Sequence, residues 1–322
     1  MVATVLVALA SSLPVAEPCG PCHQEQQVEY AASAHAHSTV SPLYLAMRRW
    51  AEEEAGPQTA NLCQRCHTLA MRGQDRTDRV VCQACHQAQV VAELTVDPHL
   101  PVAASRPGES APHPVLPLLA RDPSLPCSPC HFQLENPHGV PLCTTGPEAA
   151  SRPGGVGCLA CHPPHTFPGT DLKTLAKAAN LLLDQRGDRL LVTVVASGVG
   201  HALPTGTALR QVQLVVDFFD ARGKLLWSNR DRDPVLFARV LEDAEGRRPS
   251  PPWRAVRVAA DTRLSPGERR VLTFPVPRGA REASAALFYH RAPAHLLRRF
   301  ALTEDQRFEP RLMVQARLPL AP

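Results

Sequence analysis

The pattern Cys-x-x-Cys-His occurs five times in the first half of the chain, and it constrains the fold more than any other feature. The copies begin at Cys19, Cys63, Cys82, Cys127 and Cys158. They use ten of the 11 cysteines in the 322-residue chain and leave only Cys143. Eleven of the 14 histidines also lie at or before His165. One chemical requirement must therefore explain the repeated spacing.

Covalent attachment of haem explains this spacing. Two thiols three residues apart can each bond one vinyl group of the same porphyrin, and the next residue then supplies the proximal imidazole to the iron. We therefore predict five covalent haem c groups, each with its iron. The attaching cysteines are Cys19, Cys22, Cys63, Cys66, Cys82, Cys85, Cys127, Cys130, Cys158 and Cys161, and the proximal ligands are His23, His67, His86, His131 and His162.

Zinc sites and disulfide bonds are the alternatives. Zinc usually combines two separated cysteine pairs and does not need a histidine directly after each second cysteine. A thioredoxin-like Cys-x-x-Cys would occur once, beside a βαβ pattern. Neither alternative accounts for five identical patterns.

Histidine is the expected sixth ligand, because the methionines that could serve, Met47 and Met71, are better interpreted as core residues. We expect distal ligands at His35 (ahead of its neighbour His37), His99, His113, His165 and His201. For His99, His113 and His165, the alternative is a surface histidine or one bonded to a propionate. We interpret His138 as structural, and we do not expect His290 or His295 to be ligands.

Two of the expected distal ligands carry a more specific prediction. His165 follows His162 by three residues and cannot easily reach the same iron, so it would serve another haem. His201 lies in the segment 198–206, where three Gly and one Pro indicate a shaped loop. A stiff loop on a rigid sheet can hold a neutral imidazole. We predict that His201 caps one haem; the alternative is a hydrogen bond to a turn carbonyl or a propionate.

The two halves of the chain differ in aromatic content and charge. Ten of the aromatic residues follow position 184 and five precede it. Residues 1–183 carry 11 basic and 15 acidic side chains, whereas residues 184–322 carry 23 and 15. We predict a pentahaem cytochrome c domain over 17–183 and a second domain over 184–322. The basic second half is interpreted as a solvated or interdomain face, with docking of an acidic partner as the alternative.

The predicted fold class is α+β, with a loop-rich, short-helix multihaem domain followed by an all-β immunoglobulin-like sandwich. The first domain has too few apolar side chains for a core, and five haems would supply one. Short helices are predicted at 24–34, 41–54 and 172–183. Seven strands are predicted at 190–195, 211–219, 225–228, 235–241, 270–274, 285–289 and 312–318.

Residues 1–16 are apolar, with small residues near the end, and resemble a signal peptide without its basic start. The segment is too short to span a bilayer, and no other stretch is apolar enough to do so. Together with haem attachment, this predicts a periplasmic, secreted or cell-surface protein.

The chain resembles bacterial periplasmic multihaem cytochromes related to the tetrahaem cytochrome of ammonia oxidisers and to octahaem reductases. Besides the haem motifs, the resemblance rests on Ser33-Ala34-His35, on the segment 165–169, and on the loop 200–206 at the start of a C-terminal β-domain. It covers most of residues 17–220. It implies electron transfer or, in some members, a reductase activity. The Cys-x-x-Cys-Lys motif of some catalytic haems does not occur in this sequence.

We therefore expect an electron carrier with low-potential haems and no catalytic residue, rather than an enzyme. Its expected partners are redox proteins, such as other cytochromes or a quinol-linked complex, and not nucleic acid. A subunit of a larger complex, docked through the β-domain, is compatible with this function. The alternative is a reductase of a small nitrogen or sulfur oxyanion, which would need one haem with an open distal face.

Overall fold

The computed structural model describes residues 19–68, 70–71, 78–86, 95–96, 102–103, 115–116, 125–132, 134–151, 157–230 and 233–321. The predicted signal peptide, His99 and His113 lie outside these ranges. Within them, no helix is both long and apolar enough to cross a membrane.

The first region is built from helices and loops. The helices of its described residues are α1 (Gln24–Ala31), α2 (Pro42–His67), α3 (Cys82–His86), α4 (Ser128–His131), α5 (Thr145–Ala150) and α6 (Leu172–Ala178). Between them lie strands of two or three residues (Ala70–Met71, Thr95–Val96, Val102–Ala103, Val115–Leu116, Leu134–Glu135 and Pro141–Cys143) and the 3₁₀ turns Leu125–Cys127 and Cys158–Ala160. The three predicted helices are present in the structure, with different ends.

Helix α2 is much longer than predicted because a second helical segment follows a kink. Gly56 has φ 82°, a left-handed conformation that glycine adopts without steric cost. Pro57 comes next, and its fixed φ suits the first position of a new helical segment. The second segment carries Cys63, Cys66 and His67 in its last turns.

Helix α6 is shorter than predicted. The Asp171 carboxylate accepts hydrogen bonds from the backbone N–H groups of Lys173 and Thr174, which caps the first turn. The helix ends at Ala178, and a strand begins at Asn180. The predicted domain boundary after residue 183 therefore falls inside this strand.

In the residues that the structure describes, the second region contains nine strands. They are β1 (Asn180–Arg186), β2 (Arg189–Val195), β3 (Gln211–Phe219), β4 (Leu225–Ser228), β5 (Val235–Asp243), β6 (Ala255–Asp261), β7 (Arg269–Pro275), β8 (Glu282–His290) and β9 (Arg311–Pro319). Helix α7 (Ala294–Arg299) and the 3₁₀ turn Gln306–Phe308 lie between β8 and β9. All seven predicted strands are present, and β1 and β6 were missed.

These strands form two antiparallel sheets. One has the order β6-β5-β3-β8-β9, with β4 also paired to β3, and the other has the order β7-β2-β1. Alternate residues of β2 and β3 point into one shared core, as the two-residue period of a strand requires. The α+β class agrees with this structure, whereas the immunoglobulin-like connectivity stays a prediction.

Candidate cofactor site

One cavity of about 2730 Å³ lies in the first region and reaches the edge of the second. Pockets for single small ligands usually measure about 300–1,000 Å³, so this cavity has room for several large groups. It is lined by all 11 cysteines and by nine histidines: His23, His35, His37, His67, His86, His131, His162, His165 and His201. The structure therefore brings all five Cys-x-x-Cys-His motifs to one partly open cavity.

Local helical structure orients the side chains of each motif. The second motif ends α2, the third forms α3, and the fourth runs from a 3₁₀ turn into α4. In the first and fifth motifs the backbone N–H of the histidine donates to the backbone carbonyl of the first cysteine, at 2.9 Å for His23 and 3.0 Å for His162. A bond across four residues makes one helical turn, so the first thiol and the imidazole leave the backbone on the same side.

Three motif histidines face a second imidazole across the cavity. The ring centroids are 6.1 Å apart for His86 and His165, 6.3 Å for His162 and His201, and 6.4 Å for His35 and His131. Metal–imidazole bonds of about 2.0–2.1 Å, added to the distances from each nitrogen to its ring centre, give a spacing of about 6.3 Å. Each pair joins a predicted proximal histidine to a predicted distal one. The spacing fits one metal ion between two imidazoles.

Hydrogen bonds at Nδ1 set the tautomer of several of these rings. Nδ1 of His67 lies 2.6 Å from the Ser38 carbonyl, that of His162 lies 3.3 Å from the Pro168 carbonyl, and that of His201 lies 3.0 Å from the Ala202 carbonyl. A carbonyl only accepts, so the proton of the neutral ring is on Nδ1 and the lone pair is on Nε2. The nitrogen that is left available is the one that can bind a metal.

His165 is oriented by a carboxylate instead. Its Nδ1 lies 3.2 Å from Oε2 of Glu29, which is on α1. Its backbone has φ 65°, a left-handed conformation that is uncommon for a residue with a side chain. Non-glycine residues in such conformations cluster at functional sites, where their surroundings hold them in place. The turn after the fifth motif is therefore shaped by tertiary contacts.

Burial favours the neutral form of His35, His67, His131 and His201. It lowers the pKa of His35 to about 4, and the neighbouring charges of His131 and His67 act in the same direction. Burial also lowers the pKa of His67, His131 and His201. A histidine must be deprotonated to bind a metal, so the electrostatics of the cavity favour the ligand form.

The second motif has a different environment. The ring of His67 stacks on Tyr44 with a centroid distance of 4.3 Å and an angle of 26° between the planes. Among the described residues, no second imidazole ring faces His67 as in the three pairs. His37 is exposed at the rim of the cavity.

The chemistry of the donors fits porphyrin iron better than zinc. A structural zinc site gathers four such ligands around one ion. In the described parts of the chain, no group of three or more Cys, His, Asp or Glu side chains converges as a protein-only metal site. Opposed imidazole pairs, with cysteines lining the same cavity, suit iron held in a large planar ring.

Other histidines are placed outside this site. His138, His290 and His295 are not among the described residues that line the cavity. Met47 lines the cavity, but it is buried in a cluster with Ala51, Trp253 and Leu296, where the first region packs on the second. Its interpretation as a core residue agrees with this position.

Sequence analysis missed several residues that shape the site. Glu29, Tyr44 and Glu148 contact the histidines or the loops that carry them. Arg210, Arg291 and Arg311 line the cavity from the second region. The arginine excess of that region was the one available signal, and it did not identify individual residues.

No protein-family model and no curated protein matches this chain. Among solved structures, the chain is similar to a penta-heme cytochrome c552 from Thermochromatium tepidum. The TM-score is 0.75 and the sequence identity 24%, over 94% of this chain and 97% of that one. This likeness shows a shared fold over both regions. A structural-genomics target also aligns, over 44% of this chain and 86% of that one, but its TM-score of 0.19 and identity of 10% carry no argument.

Proposed function

We propose that this chain is a multihaem electron-transfer protein with five covalent c-type haems. The observation that carries the proposal is the set of three imidazole pairs at 6.1, 6.3 and 6.4 Å, each joining a Cys-x-x-Cys-His histidine to a second histidine. The shared fold with a protein described as a penta-heme cytochrome supports the same conclusion. Cofactor attachment and the apolar N-terminal segment favour a location in the periplasm or at the cell surface.

In this proposal, His131 and His35 hold one iron, His86 and His165 a second, and His162 and His201 a third. The haems supply one-electron chemistry when bound. The chain orients the imidazoles through their Nδ1 bonds, which also make the ligands more basic. Several haems in one cavity would let electrons pass between them and on to a redox partner protein.

The alternative function is reduction of a small nitrogen or sulfur oxyanion at an open haem. One observation favours this alternative. Among the described rings, the ring against His67 is that of Tyr44, with a centroid distance of 4.3 Å, and not an opposed imidazole. We favour the electron carrier because the other motif histidines with a facing ring are paired with imidazoles.

Two measurements test the proposal on protein matured where c-type haem is attached. Intact mass should equal the polypeptide plus five haems, and four or fewer in fully matured protein would contradict the count. Electron paramagnetic resonance of the oxidised protein should show mainly low-spin iron. A stoichiometric high-spin ferric signal would instead favour the reductase.

A further inference from the structure

Three arginines of the second region converge on the cavity wall. Arg210 immediately precedes β3, Arg291 immediately follows β8, and Arg311 begins β9. In the large sheet, His290 pairs with Gln211 and Tyr289 pairs with Arg311. The three arginines therefore lie at the same end of three adjacent strands, facing the first region.

Within the described parts of the chain, these guanidinium groups donate to neutral oxygens. Nη2 of Arg291 donates to Oγ1 of Thr170 at 2.8 Å, and Nη1 of Arg311 donates to the carbonyl of the same threonine at 2.8 Å. Nη1 of Arg210 donates to the Thr205 carbonyl at 3.2 Å. Outside the cavity, Arg263, Arg270 and Arg317 each pair with a carboxylate, and so does Arg307, a fourth arginine that lines the cavity. Arg210, Arg291 and Arg311 have no such partner among the described residues.

All three arginines are half-buried, and the lack of counter-charge is costly for Arg291 in particular. Burial lowers the pKa of Arg291, and the charges of Arg311 and Arg210 lower it further. Nε of Arg291 is buried and has no hydrogen-bond partner within the described structure. Arg210 is held close to the backbone of Gly206, where a Cβ would approach its Nη1 to 2.8 Å. Buried positive charges are stable when paired with an anion, and the guanidinium fork matches carboxylate oxygens in pairs.

We propose that Arg210, Arg291 and Arg311 form an anion site that binds carboxylate or similar small oxyanion groups inside the cavity. One source is the propionates of a bound haem, and this part rests on the proposed function. The other source is a free oxyanion from solution. Arg210 lines the same cavity as His131 and His201, and its charge lowers the pKa of both. The anion would therefore lie beside the histidine pairs of the fourth and fifth motifs.

The test compares matched arginine variants of the holoprotein after its haem content is verified by mass. Arg291→Gln and Arg311→Gln remove one charge each and retain a side chain that can bond to Thr170. Arg317→Gln is the control, because Arg317 lies on the same strand as Arg311 but is exposed and paired with Glu282 at 3.0 Å. Each protein is titrated spectroelectrochemically in buffer without phosphate and with increasing inorganic phosphate.

Two results would support the site and would identify its source. If propionates occupy it, both cavity variants lower the potential of at least one haem without phosphate, and phosphate leaves the parent unchanged. If a free oxyanion occupies it, phosphate shifts the parent titration with saturation, and the cavity variants weaken the apparent phosphate affinity about tenfold. The Arg317→Gln protein should behave as the parent in both cases.

The proposal is overturned if both cavity variants titrate like the parent and Arg317→Gln, with and without phosphate. Loss of the proposed function would look different, since mass measurement of the parent would then show no covalent haem. Phosphate protection of that haem-free protein against thermal unfolding would still report a free-oxyanion site.

Discussion

The two regions of this protein fill their interiors with different material. The ten largest fully buried side chains, which include Phe218, Leu214 and Leu287, all belong to the second region. Among the described residues of the first region, most buried apolar side chains are Ala or Val, such as Ala36, Ala51, Ala60 and Val80, and the centre is the cavity of about 2730 Å³. One region can therefore stabilise itself by burying its own side chains, whereas the other needs a large apolar group to bury.

The largest difference between the two regions is expected when the haem is withheld. Protein expressed without haem attachment should be exchange-labile and protease-sensitive over residues 19–178, because ordering each residue costs about 1–2 kcal/mol in backbone entropy and little apolar burial offsets it. Residues 180–320 should keep protected strands. Hydrogen exchange with mass spectrometry measures both regions in one sample. Strong protection of the first region in the haem-free protein would refute the comparison.

A second test concerns the hydrophobic core of the second region alone. Leu287→Ala removes a fully buried side chain and should destabilise that region by about 2–5 kcal/mol, while the haem spectrum stays that of the parent. Leu225→Ala is the matched control, because Leu225 is 50% exposed on β4 and should change stability by about 0.5 kcal/mol or less. Chemical denaturation, monitored by hydrogen exchange over β3 and β8, gives the unfolding free energy of each variant. Equal losses for both leucines would contradict the assigned core.

The contrast between the two regions also explains which helices and strands could be predicted from the sequence. Strands such as β3 and β4 were predicted with their observed ends, because alternating apolar residues and turn residues are local signals. Strand β1 was missed because Asn-Leu-Leu-Leu-Asp-Gln-Arg has helical composition and becomes a strand through pairing with β2. The helices of the first region lie against a cavity, and their lengths depend on the position of the motifs.

The residues of the site also fall into two groups, those that the sequence predicts and those that only the fold brings together. The motif cysteines and histidines were identified from spacing alone, and His35, His165 and His201 were expected as ligands before any geometry was available. Which histidine faces which motif could not be predicted, because His35 and His131 are 96 positions apart and meet only through the fold. The roles of Glu29 and Glu148 also depend on tertiary contacts that leave no sequence pattern.

Two carboxylates of the first region join it to the second, and only one of them holds the loop that carries His201. Oε2 of Glu148 accepts hydrogen bonds from Thr205 Oγ1 at 2.6 Å and from the Ala202 N–H at 3.2 Å. Oε2 of Glu54 accepts one from Trp253 Nε1 at 2.9 Å, well away from that loop in the sequence. Substituting Glu148 and Glu54 one at a time therefore separates the contact between the two regions from the orientation of the His201 ring.

We expect Glu148→Gln to alter the electron paramagnetic resonance signal and the potential of one haem, because the loop loses a charged acceptor worth about 1.5–3 kcal/mol. Glu54→Gln should weaken contact between the regions without changing any haem signal. His201→Ala should convert one haem of five to a high-spin or water-ligated form. If His201→Ala has this effect and Glu148→Gln has none, the loop is held by other contacts.

The smallest expected effect is a pH dependence that originates at Glu148. Burial alone would raise the pKa of this carboxyl group, but hydrogen bonds from Thr144 and Thr205 and the charge of Arg263 together hold it below its usual value of 4.5. The ionised form is therefore the one that stabilises the folded protein, and its contribution is fully present above about pH 4.5. It is lost as the pH falls below 4.5 through the lower pKa of the folded state. Unfolding free energies of the parent should therefore decline more steeply in this range than those of Glu148→Gln, and the difference between the two curves removes the effect of every other carboxylate. Parallel curves would show that the charge of Glu148 does not contribute to the junction.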